Sequence, residues 1–217
     1  MAEIKQRSLG ALIFLAAFLV FSCENGPSPI DNGGTTVTTV EFQETVGEFI
    51  RYATNDTDKY TRNYIHVVSG SDQNPFTQTE VELKKDSGHA SGDFGVVFAY
   101  QDDGNYHLLS IDTQGNYSLK SMRYGVLQTI QDWDEDTETS LNTGYGQLNR
   151  LRIAKASLPN TYEVYFNDDQ NYQTRFVTHS ALEGAVGFFV YIGSVQAENF
   201  PSQPVDVSFR LISSDDE

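Results

Sequence analysis

The sequence predicts an all-β domain, and three features carry that expectation. From about residue 40 onward no apolar stripe recurs at i, i+3 and i+4, so amphipathic helices are not expected. Short runs of Val, Ile, Phe, Tyr and Thr alternate with clusters of Gly, Asn and Asp. Those clusters return roughly every eight to twelve residues, the spacing of a sandwich or a barrel.

Before that body comes a segment of a different kind. Lys5 and Arg7 precede an uncharged run from Leu9 to Phe21, the pattern of a secretory leader over residues 1–22. At about 1.5 Å of rise per residue such a helix falls short of the roughly 30 Å hydrocarbon core, which disfavours a permanent span. Its end, Leu19-Val20-Phe21-Ser22-Cys23, resembles the bacterial lipoprotein signal, with a small residue before a cysteine that becomes lipidated and N-terminal. Cys23 is the single cysteine, so no intramolecular disulfide forms and lipidation gives the thiol its role. Several acyl chains at about 0.8 kcal/mol per buried methylene make detachment rare. The expectation is an exported protein, held at the membrane of the bacterial cell envelope by its N-terminal lipid. Residues 23–40 hold Asn25-Gly26-Pro27, Pro29 and Asn32-Gly33-Gly34 and read as a short flexible tether.

Residues 41–217 form the expected domain. Its first six candidate strands are Glu44–Tyr52, Arg62–Val68, Thr77–Lys85, Phe94–Tyr100, Tyr106–Asp112 and Tyr117–Arg123. The remaining six are Val126–Gln131, Asn149–Ala156, Tyr162–Phe166, Gln173–Thr178, Ala185–Tyr191 and Val205–Ile212. Three hairpin turns are marked by residues that tolerate positive φ: Asp102-Asp103-Gly104-Asn105, Thr113-Gln114-Gly115-Asn116 and Asn167-Asp168-Asp169-Gln170. Val205, Val207, Phe209 and Leu211 alternate with Asp206, Ser208 and Arg210, as one covered and one wet face require. Phe94 to Tyr100 is apolar on both faces, which marks a central strand.

Charge narrows the function classes. The formal net charge is -16, from 14 basic and 30 acidic residues, and a phosphate backbone would be repelled. Lys84-Lys85 and Arg150/Arg152 are the only close basic pairs after the leader, so nucleic acid is excluded as a partner. Esterase, zincin, nucleotide-binding and dithiol motifs are missing, and His66, His89, His107 and His179 are scattered.

Specific stretches resemble a known fold family. Phe76 to Lys85, Asp93 to Ile111 and Tyr117-Ser118-Leu119 look like the core of concanavalin A-like lectin/glucanase (LamG-like) jelly rolls. Asp132-Trp133, Leu141 to Gly144, Asn149 to Ile153, Tyr162 to Asp168 and Gly184 to Val190 follow in that family's order. The resemblance implies a two-sheet antiparallel jelly-roll sandwich, with carbohydrate commonly bound on a concave face and calcium held at a rim in some members. It marks a fold more than a chemistry.

The expected role is a non-catalytic domain that binds a glycan or a protein partner. The alternatives are a glycoside hydrolase of the same family and a purely structural envelope protein. Sugar recognition uses a ring stacked on the pyranose plus amide partners, so the aromatics beside turns are the ligand-binding candidates: Trp133, Tyr106, Tyr124 and Tyr145, with Asn105. For any one of them, packing in the core or its rim is the simpler role. Asp132, Asp134 and Asp136 offer hard oxygen ligands at alternating positions, a weak calcium candidate, with Asp102 and Asp103 a second. Asp134 to Glu138 also resembles the acidic strand motif of jelly-roll glucanases. It holds no apolar residue to pin it in a sheet, so a solvated acidic loop is the expected state.

Overall fold

A computed structural model describes residues 40–44, 49–56, 62–68, 75–90, 92–132, 139–200 and 202–212. The leader, Cys23 and the tether up to residue 39 lie outside the described residues, as do Trp133, Asp134 and Asp136, while Val40, expected in the tether, opens the first strand. The chain divides into two units, Met1–Gly34 and Thr35–Glu217.

The fold is an all-β, two-sheet antiparallel jelly-roll sandwich. One sheet runs in the order β1 (Val40–Glu44), β2 (Ile50–Thr54), β13 (Val205–Ile212), β4 (Gln78–Ser87), β9 (Asn149–Lys155), β10 (Thr161–Phe166) and β11 (Thr174–Val177). The other runs β3 (Arg62–Val67), β12 (Ala185–Ile192), β5 (Phe94–Asp102), β6 (Asn105–Ile111), β7 (Tyr117–Arg123) and β8 (Val126–Gln131). Each described pair of neighbours is antiparallel. No described helix is long and apolar enough to cross a membrane.

All three marked turns form hairpins, joining β5 to β6, β6 to β7 and β10 to β11. The Asx turns close locally: Asp112 Oδ1 accepts from Gln114 N at 2.8 Å and from Asn116 N at 3.0 Å. β5 is central, between β12 and β6, as its two apolar faces require. Two elements differ from expectation. The run Glu44–Tyr52 is not one strand, since β1 ends at Glu44 and β2 begins at Ile50. A short helix α1 (Ser194–Glu198) follows β12.

The core follows from alternation. Phe94, Val96 and Phe98 of β5, Leu109 and Ile111 of β6, and Phe188 and Val190 of β12 face Val81, Leu83, Tyr162, Val207 and Phe209 of the first sheet. The Phe188 and Phe209 rings stack across the sandwich at 4.9 Å. Val97, Tyr106, Leu108 and Phe189 form a separate buried cluster on the second sheet's opposite face. Ile50 and Leu211 border the main core.

The outer face of the first sheet carries the arginines, each with a partner. Arg150 meets Glu80 and Glu82, Arg210 meets Glu82, and Arg51 meets Asp206. The Arg152 guanidinium lies 3.7 Å over the Tyr165 ring. Burial pushes the Glu82 carboxyl up, but its hydrogen bonds from Arg150 and Arg210 more than offset this and hold it below the ordinary value.

Candidate functional site

At one side of the sandwich the second sheet extends past the first and leaves a cleft of about 290 Å³. Its floor comes from β5 to β8. Its opposite wall is Val177 at the end of β11 and the irregular segment 178–183 before β12.

The floor is shaped by a bulge. Ala99 has φ 49° within β5, and the register between β5 and β6 shifts from Phe98 to Asp102. The bulge turns Ala99 into the main core and Tyr100 onto the other face, where its ring stacks on Tyr106 at 6.0 Å. Beyond it Gln101 donates from Nε2 to Glu183 O at 3.3 Å, joining floor to wall. The wall is further pinned by Leu182, whose N–H donates to the buried Tyr162 hydroxyl at 2.8 Å. Leu182 O in turn accepts from Phe76 N at 2.8 Å.

The mouth is set by the β7–β8 hairpin. Tyr124 (φ 50°) and Gly125 (φ 76°) are the two residues of its turn, both left-handed, which is the geometry of a type I′ turn. That conformation is unfavourable for a tyrosine. It points the Tyr124 ring into solvent, 80% exposed, with the Arg123 guanidinium 5.4 Å from its centroid. Two contacts tie this tip to the β5–β6 tip: Tyr124 N donates to Asn105 Oδ1 at 3.2 Å, and Gly125 N donates to Gly104 O at 3.0 Å. A Cβ at Gly104 would stand 3.2 Å from Gly125 N, so the close approach favours glycine.

His107 lies at the base of the cleft. It shares the inward row of β6 with Leu109 and Ile111, and its ring is 5.4 Å from Phe98 and 6.1 Å from Phe176. Burial drives its pKa down to about 4, so it is neutral at physiological pH. Its Nδ1 is buried without a hydrogen-bond partner. The remaining polar lining includes Gln101, Asn105, Ser121, Gln128 and His179, with Arg123 and Glu183 the charged side chains among the described lining residues. Amides, hydroxyls and a neutral imidazole can exchange hydrogen bonds with a polyhydroxyl ligand, and the exposed ring offers it a flat apolar surface.

Of the sequence candidates, Asn105, Tyr106 and Tyr124 all border this cleft. Their parts differ. Tyr124 presents its ring, whereas Asn105 positions, receiving the Tyr124 N–H while its Nδ2 donates to Asp102 Oδ1 at 2.9 Å. The Tyr106 ring is buried in the second cluster and is not available for stacking on a ligand. Tyr145 lies elsewhere, its hydroxyl donating to Gly88 O. Trp133 lies outside the described residues. The calcium candidate is represented by Asp132 alone, exposed just after β8. Asp102 and Asp103 spend their carboxylates on the turn, Asp102 Oδ1 accepting from Gly104 N at 2.8 Å and Asp103 Oδ1 from the Tyr100 hydroxyl at 2.7 Å. That last bond pushes the Tyr100 pKa up to about 12. Among the described residues no group of three His, Cys, Asp or Glu is placed to hold a metal ion.

Solved structures similar to this chain include a carbohydrate-binding module of Bacillus subtilis, at 15% identity and a TM-score of 0.48, over 68% of this chain and 78% of that one. A Bacillus licheniformis β-glucanase gives 11% and 0.49, over 84% and 88%. Sheep galectin-11 gives 14% and 0.36, over 70% and 92%. No family model and no curated protein matches the chain. At these identities the likeness concerns fold, and the reading of the cleft rests on its own residues.

Proposed function

We propose that this chain is an exported lipoprotein, anchored in the cell envelope through Cys23, whose jelly-roll domain binds a carbohydrate in the cleft without cleaving it. The observation that carries the binding reading is the conjunction at the mouth: a solvent-facing Tyr124 ring above a lining rich in neutral hydrogen-bonding groups. Glycoside hydrolysis needs two carboxylates on either side of the sugar. Among the described lining residues Glu183 is the single carboxylate, which favours binding over cleavage.

A glycan array probed with the chain, in calcium and in chelator, tests the ligand class. Binding is expected to at least one polysaccharide, and Tyr124→Ala is expected to weaken it about tenfold, a loss of about 1.4 kcal/mol. The thermal midpoint should not move, because the ring is exposed. An array silent under both conditions would overturn the carbohydrate reading. For the anchor, Cys23→Ser should shift the protein from the membrane to the soluble fraction, and unchanged partitioning would count against lipidation.

A further inference from the structure

Among the described residues four strands end the two sheets, and three carry ionisable residues that discourage another strand from pairing with them. β1 has Glu41 and Glu44, β3 has Arg62 and β11 has Arg175. The fourth, β8, reads Val-Leu-Gln-Thr-Ile-Gln, with no charge, no proline and no glycine. It is also open to water on both faces, with Val126 59%, Leu127 47% and Ile130 40% exposed. Among the described residues β7 is its one neighbour. In a chain of net charge -16, an uncharged and apolar edge is where a second equally acidic molecule can approach.

We infer that β8 is a homodimerisation edge, pairing antiparallel with β8 of a second copy about a twofold axis. A twofold perpendicular to the sheet keeps opposed residues on the same face, and centring it on Gln128 sets Val126 against Ile130 of the second copy. Gln128 meets its own counterpart, and Leu127 meets Thr129. Charge fits the same arrangement. Antiparallel pairing brings the Arg123 end of one hairpin beside the Asp132 end of the other, twice over, so among the described residues the charges at the two ends of the edge are complementary. The bulge between β7 and β8, opposite Leu119 and Lys120, keeps the shared ladder short, so the dimer is weak and concentration-dependent. Because Gln128 also lines the cleft, pairing sets two clefts side by side, whatever occupies them.

The test uses the full chain carrying Cys23→Ser, so that no acyl chain drives association, in a non-ionic detergent that shields the leader. Sedimentation velocity from about 1 to about 300 µM should show the protein mass doubling. Thr129→Lys, which puts a charge on the edge, should hold it monomeric across that range. Gln128→Cys on the same background should give a disulfide-linked dimer under mild oxidation, while Leu158→Cys, also exposed but between β9 and β10, should not. A monomer at the highest concentration would refute the inference. So would a dimer indifferent to Thr129→Lys, or equal cross-linking at position 158. If Thr129→Lys fails to fold by circular dichroism, the paired cysteine variants decide the question alone.

Discussion

His107 supplies a prediction whose size follows from its surroundings. Burial between Phe98 and Phe176 moves its titration from 6.5 to about 4. In the unfolded chain the imidazole takes up a proton near pH 6.5, while the folded chain resists until about pH 4. Stability attributable to this group is therefore intact above pH 6.5 and is lost as pH falls to about 4. At about 1.4 kcal/mol per pH unit the loss reaches about 3 kcal/mol. Asp93 tilts the opposite way. Burial raises its pKa from 3.8 to about 6, so the folded state loses stability as pH climbs through that interval. The two ramps overlap and nearly cancel, so together these two groups leave little net pH dependence in that interval.

Substituting His107→Phe separates them. Phenylalanine keeps a ring between the two neighbours and removes both the titrating group and the orphaned Nδ1. Removing a buried unpaired polar atom should stabilise the fold at pH 7.5 by about 1–2 kcal/mol. That advantage should widen by up to about 3 kcal/mol toward pH 4, because Asp93 is common to both proteins and drops out of the difference. Urea unfolding followed by far-ultraviolet circular dichroism, at several pH values from about 4.5 to about 7.5, measures it. An advantage that stays constant with pH would show that the imidazole is not held neutral by burial, and the account of the cleft floor would fail with it.

Three further perturbations probe other parts of the fold. Asp93→Asn should stabilise the protein by about 2–3 kcal/mol above pH 6, with no gain near pH 3.5, as read from thermal midpoints at the two pH values. Glu82→Gln should cost about 1–2 kcal/mol at neutral pH, the low end for a buried pair because Arg150 and Arg210 keep 42% and 36% exposure and can rehydrate. The lowered Glu82 pKa gives that stability its sign: it is present above the ordinary carboxyl value and fades as pH falls below it, so the deficit measured by urea midpoints should shrink in acid. Gly95→Ala would put a Cβ 2.1 Å from Leu109 O and 2.9 Å from Phe189 Cε1, and a thermal midpoint lowered by about 10 °C is expected.

The three hairpins were legible because turn chemistry is local: Asp-Gly and Asn-rich tips act on backbone only two or three residues away. The central position of β5 was legible because an apolar run on both faces has nowhere else to go. The cleft was not, since Gln101, Gln128, His179 and Glu183 lie in separate segments and meet only through sheet order and the bulge at Ala99. One local sign did exist. Alternation puts His107 in the row of Leu109 and Ile111, and likewise puts Lys85 in the row of Val81 and Leu83. A polar residue that continues an apolar row marks a place where the core ends, and sequence alone cannot say how it ends. The structure separates the two cases by their partners. The Lys85 ammonium, its pKa lowered to about 8 by burial, donates to His89 O at 2.5 Å and Gly92 O at 3.0 Å, so its end of the sandwich is sealed. At the other end His107 keeps a buried nitrogen with nothing bonded to it, and that end is the one left open as a cleft.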